Sequence, residues 1–261
     1  MLALIAIAFV FGAIVGSFLN VCILRLPKNE SIVFPGSHCF SCGKDIAWYD
    51  NIPILSYFIL GGKCRHCKKS FSIQYAAVEF LTAVLTAFYL WHFGWGPRAA
   101  IYWVLTLALL VQTFIDLKYQ IIPDEITLPG IGLGLICSAF FPLIHNQVSW
   151  SGGLIQGAIG MLVGGGVLYL AGTVTEWIVK KEAMGGGDVK LLAMIGTVIG
   201  WQGVLWTVFV SSLLGSVVGI YARLRRGDQV IPYGPYLGMA AFLYLFFGQK
   251  VIQWYLGTIG M

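Results

Sequence analysis

Charge is scarce in this sequence. Only 10% of its 261 residues are charged, whereas apolar residues make up 58% and the mean hydropathy is +0.83. About a quarter of the residues in a soluble domain are charged, so the composition excludes an ordinary soluble domain. Charged residues are absent from four segments, each long enough for one or two membrane spans of about 20 residues: 1–24, 126–175, 191–222 and 229–249.

Signatures of several other classes are also missing. The sequence has no HExxH or Ser/His arrangement, and no glycine-rich loop after a strand of the kind found in soluble nucleotide-binding folds. Residues 1–13 lack a basic region, and no small-residue cleavage site follows, so we expect a retained helix rather than a signal peptide. The net charge of +5 is attributed to membrane topology and anionic membrane lipid, and not to nucleic acid.

Polar residues, glycines and prolines divide the chain into stretches of helical length. We therefore predict an all-α polytopic membrane protein with about eight transmembrane helices. The predicted helices span 1–24, 73–93, 98–117, 126–144, 152–177, 187–201, 203–222 and 234–256. The predicted domains are the first helix, 1–24, an aqueous module, 25–72, and a membrane core of about seven helices, 73–261.

The positive charges predict the orientation of these helices. Fourteen of the sixteen lysines and arginines fall in segments that the eight-helix arrangement places on one side, namely 25–72, 118–125, 178–190 and 223–228. Because positive loops stay in the cytoplasm, that side is predicted to be cytoplasmic and both termini external. In a bacterium this corresponds to a multi-pass protein of the inner membrane.

A metal site is predicted in the aqueous module. It contains two CxxC pairs, Cys39/Cys42 and Cys64/Cys67, separated by 21 residues. Four thiolates at this spacing are typical of a structural zinc site. Two disulfides are the alternative, which a reducing cytoplasm disfavours. The sequence thus predicts a small cytoplasmic zinc-ribbon-like insertion after the first helix.

Two aspartates lie at the ends of apolar runs. Ionisable groups at membrane depth are costly unless paired or neutral, so they usually mark function. Asp188 precedes Gln202, where a turn is expected, by 14 residues, or about 21 Å of helix; Asp116 follows Arg98 by 18 residues, or about 27 Å. Both carboxylates are therefore expected at similar depth. They form a candidate catalytic pair, with one proton shared between them.

Three glycines, Gly185, Gly186 and Gly187, precede Asp188. Irregular backbone at membrane depth is tolerated only where it is buried in protein or lines a watery cavity, so the glycines predict a supporting loop where an extended peptide approaches the acid. A close helix crossing is the alternative. Lys190 is expected either to offset the charge of Asp188 or to extend to the interface. Asp124 is expected to cap the following helix.

The chain carries a set of motifs in a fixed order. They are Gly16-Ser17-Phe18-Leu19-Asn20-Val21 with Arg25 and Pro27, the two CxxC pairs, Asn51-Ile52-Pro53 with Ser56, Tyr75 with Val78-Glu79, Asp116 with Ile122-Pro123-Asp124 and Pro129, Gly185-Gly186-Gly187-Asp188-Val189-Lys190, and Ile231-Pro232-Tyr233-Gly234-Pro235. In these motifs the chain resembles the bacterial type IV prepilin peptidases, which are bifunctional leader peptidases and N-methyltransferases of the GxGD aspartyl protease group.

The resemblance implies an activity and a cofactor. The expected substrates are prepilins or pseudopilins, whose basic leader is cleaved after a glycine near the cytoplasmic membrane face by Asp116 and Asp188. The new N-terminal residue is then expected to be methylated from S-adenosylmethionine. Glu79, near the cytoplasmic end of its helix, is a candidate for methyl transfer, with Arg25 or Lys190 as a partner.

Two other classes of protein fit part of the pattern. A zinc-ribbon membrane scaffold would use both aspartates only as helix-end residues, and would tolerate asparagine at either position. A proton-coupled transporter would use the acids to carry protons, but it would need an inverted repeat or paired broken helices. The sequence shows no convincing internal repeat, which favours the peptidase.

Overall fold

The structure, a computed structural model, describes residues 1–180, 185–226 and 232–258. Helices dominate this part of the chain, where β-structure is limited to two isolated bridges. The helices are α1 (Leu2–Arg25), α2 (Leu55–Ile59), α3 (Gln74–Phe93), α4 (Pro97–Tyr119), α5 (Asp124–Phe140), α6 (Trp150–Val179), α7 (Gly186–Arg226), α8 (Gly234–Leu243) and α9 (Gln249–Thr258). A π-helical turn, Tyr244–Gly248, joins α8 to α9.

Within the described residues, six helical stretches are long and apolar enough to cross a membrane. They are Leu2–Lys28, Gln74–Phe93, Pro97–Tyr119, Trp150–Ile178, Gly186–Arg225 and Gly234–Trp254. The expected all-α polytopic membrane fold is confirmed. The count differs from eight because α5 has only 17 residues and because two predicted helices, 187–201 and 203–222, run together in α7.

The chain divides into two compact units, Met1–Trp103 and Val104–Met261. In the first unit, α1 packs along α3. The contact is close because Gly12 and Gly16 of α1 carry no side chain: a Cβ at Gly16 would lie 2.7 Å from the Cα of Glu79. Small residues allow membrane helices to approach in this way. The contact brings the polar residues of α1 next to Glu79.

In the second unit, α6 packs along α7. A Cβ on Gly160 would collide with the backbone of Gly196, and a Cβ on Gly196 would collide with Gly160. The two backbones therefore touch directly, as in other small-residue crossings of membrane helices. This close packing holds the N-terminal half of α7, which carries Asp188, against the rest of the unit.

Helix α7 is interrupted at Gly200, whose φ of 71° and ψ of 175° are not helical. Residues near this break are held by a polar cluster. Ser138 Oγ donates to the Thr197 carbonyl oxygen at 2.7 Å, and His145 Nε2 lies 2.9 Å from Ser138 Oγ and 3.2 Å from the same carbonyl. Burial lowers the pKa of His145, which favours the neutral ring. The turn predicted at Gln202 is thus present as a break two residues earlier, at Gly200.

Helix α5 also differs from its predicted range, 126–144. It begins at Asp124 and ends at Phe140, and a 3₁₀ turn, Pro142–His145, follows. Proline at the start of the turn has no N–H to donate to the α-helical ladder, which accounts for the earlier end.

Candidate active site

Asp116 lies in the last turn of α4 and is only 5% exposed. Its Oδ2 accepts a hydrogen bond of 3.0 Å from the backbone N–H of Gly234, the first residue of α8. A side chain at position 234 would disrupt this contact, because its Cβ would lie 2.6 Å from Asp116 Oδ2. The glycine therefore lets the start of α8 approach and bind the carboxylate.

Asp188 lies in the first turn of α7. Its Oδ1 is buried and has no hydrogen-bond partner among the described residues. The positive end of the helix dipole favours an acid at this position. The side chain of Ile122 lies between the two acids' neighbours: a Cβ at Gly187, next to Asp188, would lie 2.9 Å from Ile122 Cβ, and a Cβ at Gly234, which binds Asp116, would lie 3.4 Å from Ile122 Cδ1. The structure thus brings the two aspartates into one site, although 72 positions separate them in the sequence.

The glycines before Asp188 were expected to form a loop, but two of the three are helical. Gly186 and Gly187 are the first residues of α7, and Gly185 precedes the helix and accepts a hydrogen bond from the Asp188 N–H at 3.1 Å. A Cβ at Gly187 would lie 2.9 Å from the Cβ of Ile122. Its lack of a side chain allows the start of α7 to pack on the loop that follows α4.

Lys190 and Asp124 form an ion pair, with Lys190 Nζ at 2.7 and 2.8 Å from the two carboxylate oxygens. The expectation that Asp124 caps α5 is wrong: Pro123 occupies the N-cap and makes no side-chain cap bond, while Asp124 is the first helical residue. Lys190 was expected to offset Asp188 or to extend to the interface. Its observed partner, Asp124, ties the start of α7 to the start of α5.

Glu79 lies in the first unit, where its carboxylate is buried. Its Oε2 accepts a 2.7 Å hydrogen bond from the backbone N–H of Ile54, and Ser17 also hydrogen-bonds to the carboxylate. Arg25, one of the two partners suggested by the sequence, does not pair with Glu79 among the described residues, and the other, Lys190, pairs with Asp124. Arg25 instead donates to the carbonyl oxygens of three residues in the following loop, at 2.8 to 3.2 Å: Ser31, Pro35 and Gly36.

A cavity of about 140 Å³ opens beside Glu79 within the first unit. Its polar lining comes from α1, from the loops around the cysteines and from α3, and includes Ser17, Asn20, Asp50 and Lys63. Asn20 Nδ2 donates to the carbonyl oxygen of Tyr75 at 3.0 Å, which joins α1 to the start of α3. The cavity therefore has a buried carboxylate in its wall and a polar rim.

The four cysteines of the CxxC pairs come together in the first unit. Their sulfur atoms all lie within 4.8 Å of one another, and the Sγ atoms of Cys39 and Cys67 are 3.8 Å apart. Tetrahedral zinc with Zn–S bonds of about 2.3 Å places its sulfurs about 3.8 Å apart, whereas a disulfide requires about 2.05 Å. The cluster is therefore compatible with a zinc site and contains no disulfide.

Both cysteine pairs are built in the same way. The N–H of Cys39 donates to the Lys44 carbonyl and that of Cys64 to the Lys69 carbonyl, each at 2.9 Å. Gly43 and Lys68, at equivalent positions, both adopt positive φ, of 69° and 58°. A hydrogen bond from the Ser41 backbone lowers the pKa of the Cys39 thiol to about 6. The thiolate form that binds zinc is therefore favoured at this position.

An ion pair joins the second cysteine turn to a neighbouring loop. Arg65 donates from Nε and from a terminal nitrogen to the two carboxylate oxygens of Asp50, at 2.7 and 2.6 Å. The Arg65 side chain lowers the pKa of the Asp50 carboxyl. Asp50 lines the cavity, so this pair connects the cluster to the cavity wall.

Several contacts of the site were not predicted. The sequence motifs include Gly234, Ser17 and Asn20, but nothing local assigns them to Asp116, Glu79 or Tyr75, because each partner lies on another helix. Gln112, one helical turn before Asp116, belongs to no motif. The sequence singles it out in one way only: Gln112 is a polar residue within the apolar run that ends before Asp116.

Comparison with known proteins gives matches over most of the chain. Residues 10–93 match the family model "Bacterial Peptidase A24 N-terminal domain", and residues 103–220 match the "Type IV leader peptidase family". No solved structure matches the chain.

Relatives named prepilin leader peptidase/N-methyltransferase are similar over nearly the whole length. The Pseudomonas aeruginosa protein is 36% identical, covering 99% of this chain and 96% of its own. The Stutzerimonas stutzeri protein is 35% identical, and the match covers 98% of this chain and 94% of that protein. The Myxococcus xanthus protein is 39% identical over 84% of this chain and 63% of its own. By these matches, the chain belongs to the type IV leader peptidase family.

Proposed function

We propose that this protein is an aspartyl endopeptidase that removes the basic leader of type IV prepilins or pseudopilins and then N-methylates the new terminus. The observation that supports the proposal is that Gly187, next to Asp188, and Gly234, which binds Asp116, both lie against the side chain of Ile122, so that the two acids are near each other in the second unit. The names of the relatives supply the substrate class. A scaffold would have no need for two neighbouring acids, one of which has a buried oxygen with no partner among the residues that the structure describes.

In the proposed cleavage, a water molecule attacks the carbonyl carbon of the scissile peptide bond. The hydrogen bond from the Gly234 N–H favours an ionised carboxylate at Asp116, so we assign Asp116 as the base that takes a proton from this water. Asp188 donates a proton to the amide nitrogen as the C–N bond breaks. Transfer of one proton from Asp116 to Asp188 then restores the starting state, in which the pair shares a single proton.

For methyl transfer, we propose the cavity beside Glu79. S-adenosylmethionine is a sulfonium cation and supplies an electrophilic methyl group to an amine. A buried carboxylate in a cavity wall suits a cationic ligand or an ammonium group, and Glu79 is such a carboxylate. Glu79 would orient the new amino terminus and accept its proton, while Ser17 holds the carboxylate in place.

We further propose that the four-cysteine cluster holds one structural zinc ion. The donor set fits zinc, because four sulfur atoms within 4.8 Å can surround one tetrahedral ion. All four ligand positions are filled by protein, which is the arrangement of structural rather than catalytic zinc sites. The ion would fix the two cysteine turns and the cavity wall that they support.

We propose that the protein lies in the bacterial inner membrane with the cysteine cluster in the cytoplasm and both termini outside. The distribution of lysine and arginine supports this orientation, in which α5 and each half of α7, before and after the break at Gly200, cross the membrane separately. A reporter fused after Asn146 or at Met261 should then read external, and one after Gly227 cytoplasmic. Gly227 and Met261 lie outside the described residues. Opposite readings at two of the fusions would overturn the orientation.

The proposed activity is tested by incubating the purified protein in lipid vesicles with a prepilin and labelled S-adenosylmethionine. Mass spectrometry of the product should find cleavage after the glycine at the end of the leader and one labelled methyl group on the new N-terminus. An intact prepilin after prolonged incubation with a folded, zinc-containing preparation would reject the peptidase assignment.

A further inference from the structure

Gln112 is a buried amide that makes no side-chain hydrogen bond to the described part of the chain. It is 2% exposed, and neither its Oε1 nor its Nε2 has a hydrogen-bond partner within residues 1–180, 185–226 and 232–258. A buried polar group that makes no hydrogen bond destabilises a folded protein, because it has given up its hydrogen bonds to water without replacement. The nearby hydrocarbon of a membrane offers no substitute for the missing bonds. Gln112 is therefore the kind of residue whose retention needs an explanation.

The position of Gln112 relates it to the catalytic pair. It precedes Asp116 by four residues in α4, so the two residues share one face of the helix and are separated by about 6 Å along its axis. Helix α8, which binds Asp116 through Gly234, also contacts the neighbouring residues of α4: a Cβ at Gly238 would lie 3.2 Å from Thr113 Oγ1. Gln112 thus lies on the same face of α4 as Asp116, one turn nearer the start of the helix.

Both residues are enclosed in this structure. Asp116 is itself only 5% exposed, so a substrate reaches the aspartates only when the site opens. An opening along the same face of α4 would expose Gln112 as well. Its burial here is therefore compatible with a role toward substrate.

The chemistry of a cleavable peptide matches this amide. A peptide must be extended at the scissile bond, and its N–H and C=O groups then have no partners of their own in the membrane. A carboxamide can donate to one and accept from the other. Because an extended chain advances about 3.3 Å per residue, a point about 6 Å from Asp116 corresponds to two residues along the substrate.

We propose that the Gln112 carboxamide binds the main chain of the substrate about two residues beyond the scissile bond, on the side of the apolar segment. In the proposed orientation, α4 runs toward the cytoplasm, so Gln112 lies one turn deeper than Asp116, where the apolar part of a prepilin begins. Gln112 is a positioning residue that holds the peptide extended across the aspartates. The inference rests on the proposed peptidase function.

The test combines Gln112→Met, which keeps the length of the side chain, with a change in the substrate backbone. Semisynthetic prepilins would carry an ester in place of one peptide bond at successive positions after the scissile bond, each removing one N–H. In the wild-type enzyme, the ester two residues after the cleavage site should lower kcat/KM by about tenfold. In Gln112→Met that ester should have no further effect, while esters elsewhere should act alike in both enzymes.

With an unmodified prepilin, Gln112→Met should show a kcat/KM about tenfold lower than that of the wild type, mainly because KM rises. Its melting temperature should be unchanged or higher, because an unsatisfied buried amide has been removed. An equal ester effect in wild type and variant would overturn the proposal and leave a buried water as the partner of Gln112. Should Gln112→Met fail to fold, the wild-type enzyme alone still tests the proposal. It would be overturned if the ester two residues after the cleavage site lowered kcat/KM no more than esters at the other positions. A wild-type enzyme that cleaves no prepilin would instead reject the peptidase function.

Discussion

The backbone N–H of Ile54 donates a 2.7 Å hydrogen bond to Glu79 Oε2, and Ile54 has a φ of 66° and a ψ of −55°. A β-branched residue rarely adopts positive φ, and such backbone costs about 1–3 kcal/mol unless its surroundings impose it. Ser56 supports the same loop, since its Oγ accepts from the Ile52 N–H at 3.0 Å. Glu79 therefore has two tasks, lining the cavity and holding the loop that covers it.

Replacing Glu79 by glutamine should separate the two proposed activities. Glu79→Gln keeps an acceptor for the Ile54 N–H but removes the negative charge, so methylation should fall by at least about tenfold while cleavage is retained. Methyl incorporation into a pre-cleaved pilin measures the first activity and leader release the second. Glu30→Gln, an exposed glutamate of the same unit, serves as the control and should leave both unchanged. Full methylation by Glu79→Gln would remove Glu79 from the reaction.

Neutral replacements of the aspartates should abolish cleavage without unfolding the protein. Asp116→Asn and Asp188→Asn should each lower kcat for leader removal by at least about 100-fold. The double variant should be no slower than either single one, because the two residues act as a unit. Product mapping on vesicle-inserted protein provides the measurement, with Asp45→Asn, an exposed aspartate, as the control. If both single variants cleave at the wild-type rate, neither aspartate takes part in the cleavage.

The cysteine cluster should contain about one zinc ion per chain by elemental analysis. Cys39→Ser should lower that content and make residues 37–70 more accessible to protease, because the two turns lose their common ligand. Cys137→Ser, which changes a cysteine outside the cluster, should keep the metal. A metal-free protein with the four thiols oxidised to disulfides would contradict the zinc assignment.

The polar cluster near Gly200 predicts a dependence of stability on pH. The pKa of His145 is lowered in the folded protein by burial, so the unfolded chain binds a proton more readily. Its contribution to stability is therefore present above the unfolded pKa of about 6.5 and decreases as the pH falls through that value toward the folded pKa.

Thermal unfolding in detergent from pH 8 to pH 5 tests this dependence. The melting temperature of the wild-type protein should fall more steeply below about pH 6.5 than that of His145→Asn, which has no titrating ring. The variant should be less stable at pH 8 by about 1 kcal/mol, the typical value of one buried hydrogen bond. Parallel curves for the two proteins would show that His145 does not titrate on unfolding.

Local features of the sequence predicted the membrane helices and the cysteine cluster well. Long apolar runs must be buried in protein or lipid, and this made the membrane helices recognisable. The predicted bounds of α1, α3 and α4 are within two residues of the observed ones. The spacing within each CxxC pair allows only a tight turn, which predicted the grouping of Cys39 with Cys42 and of Cys64 with Cys67. Both signals depend on residues close together in the chain.

Contacts between distant segments were not predictable in the same way. Lys190 and Asp124 are 66 residues apart, and their pairing depends on how α5 and α7 pack. The same applies to Asp116 with Gly234, where the bond is possible only because position 234 lacks a side chain. Hydrophobic patterns predict which residues are buried, but they do not predict which buried residues contact each other.

The cavity beside Glu79 shares part of its wall with the cysteine turns. His38 and Phe40 flank Cys39, Lys63 precedes Cys64, and all three line the cavity. If zinc fixes these turns, the supply of this metal during growth would control how completely the pilins are modified. Zinc-starved cells would then export pilins that are trimmed but carry a free primary amine, and the ratio of the two forms in assembled fibres would report the metal status of the cell.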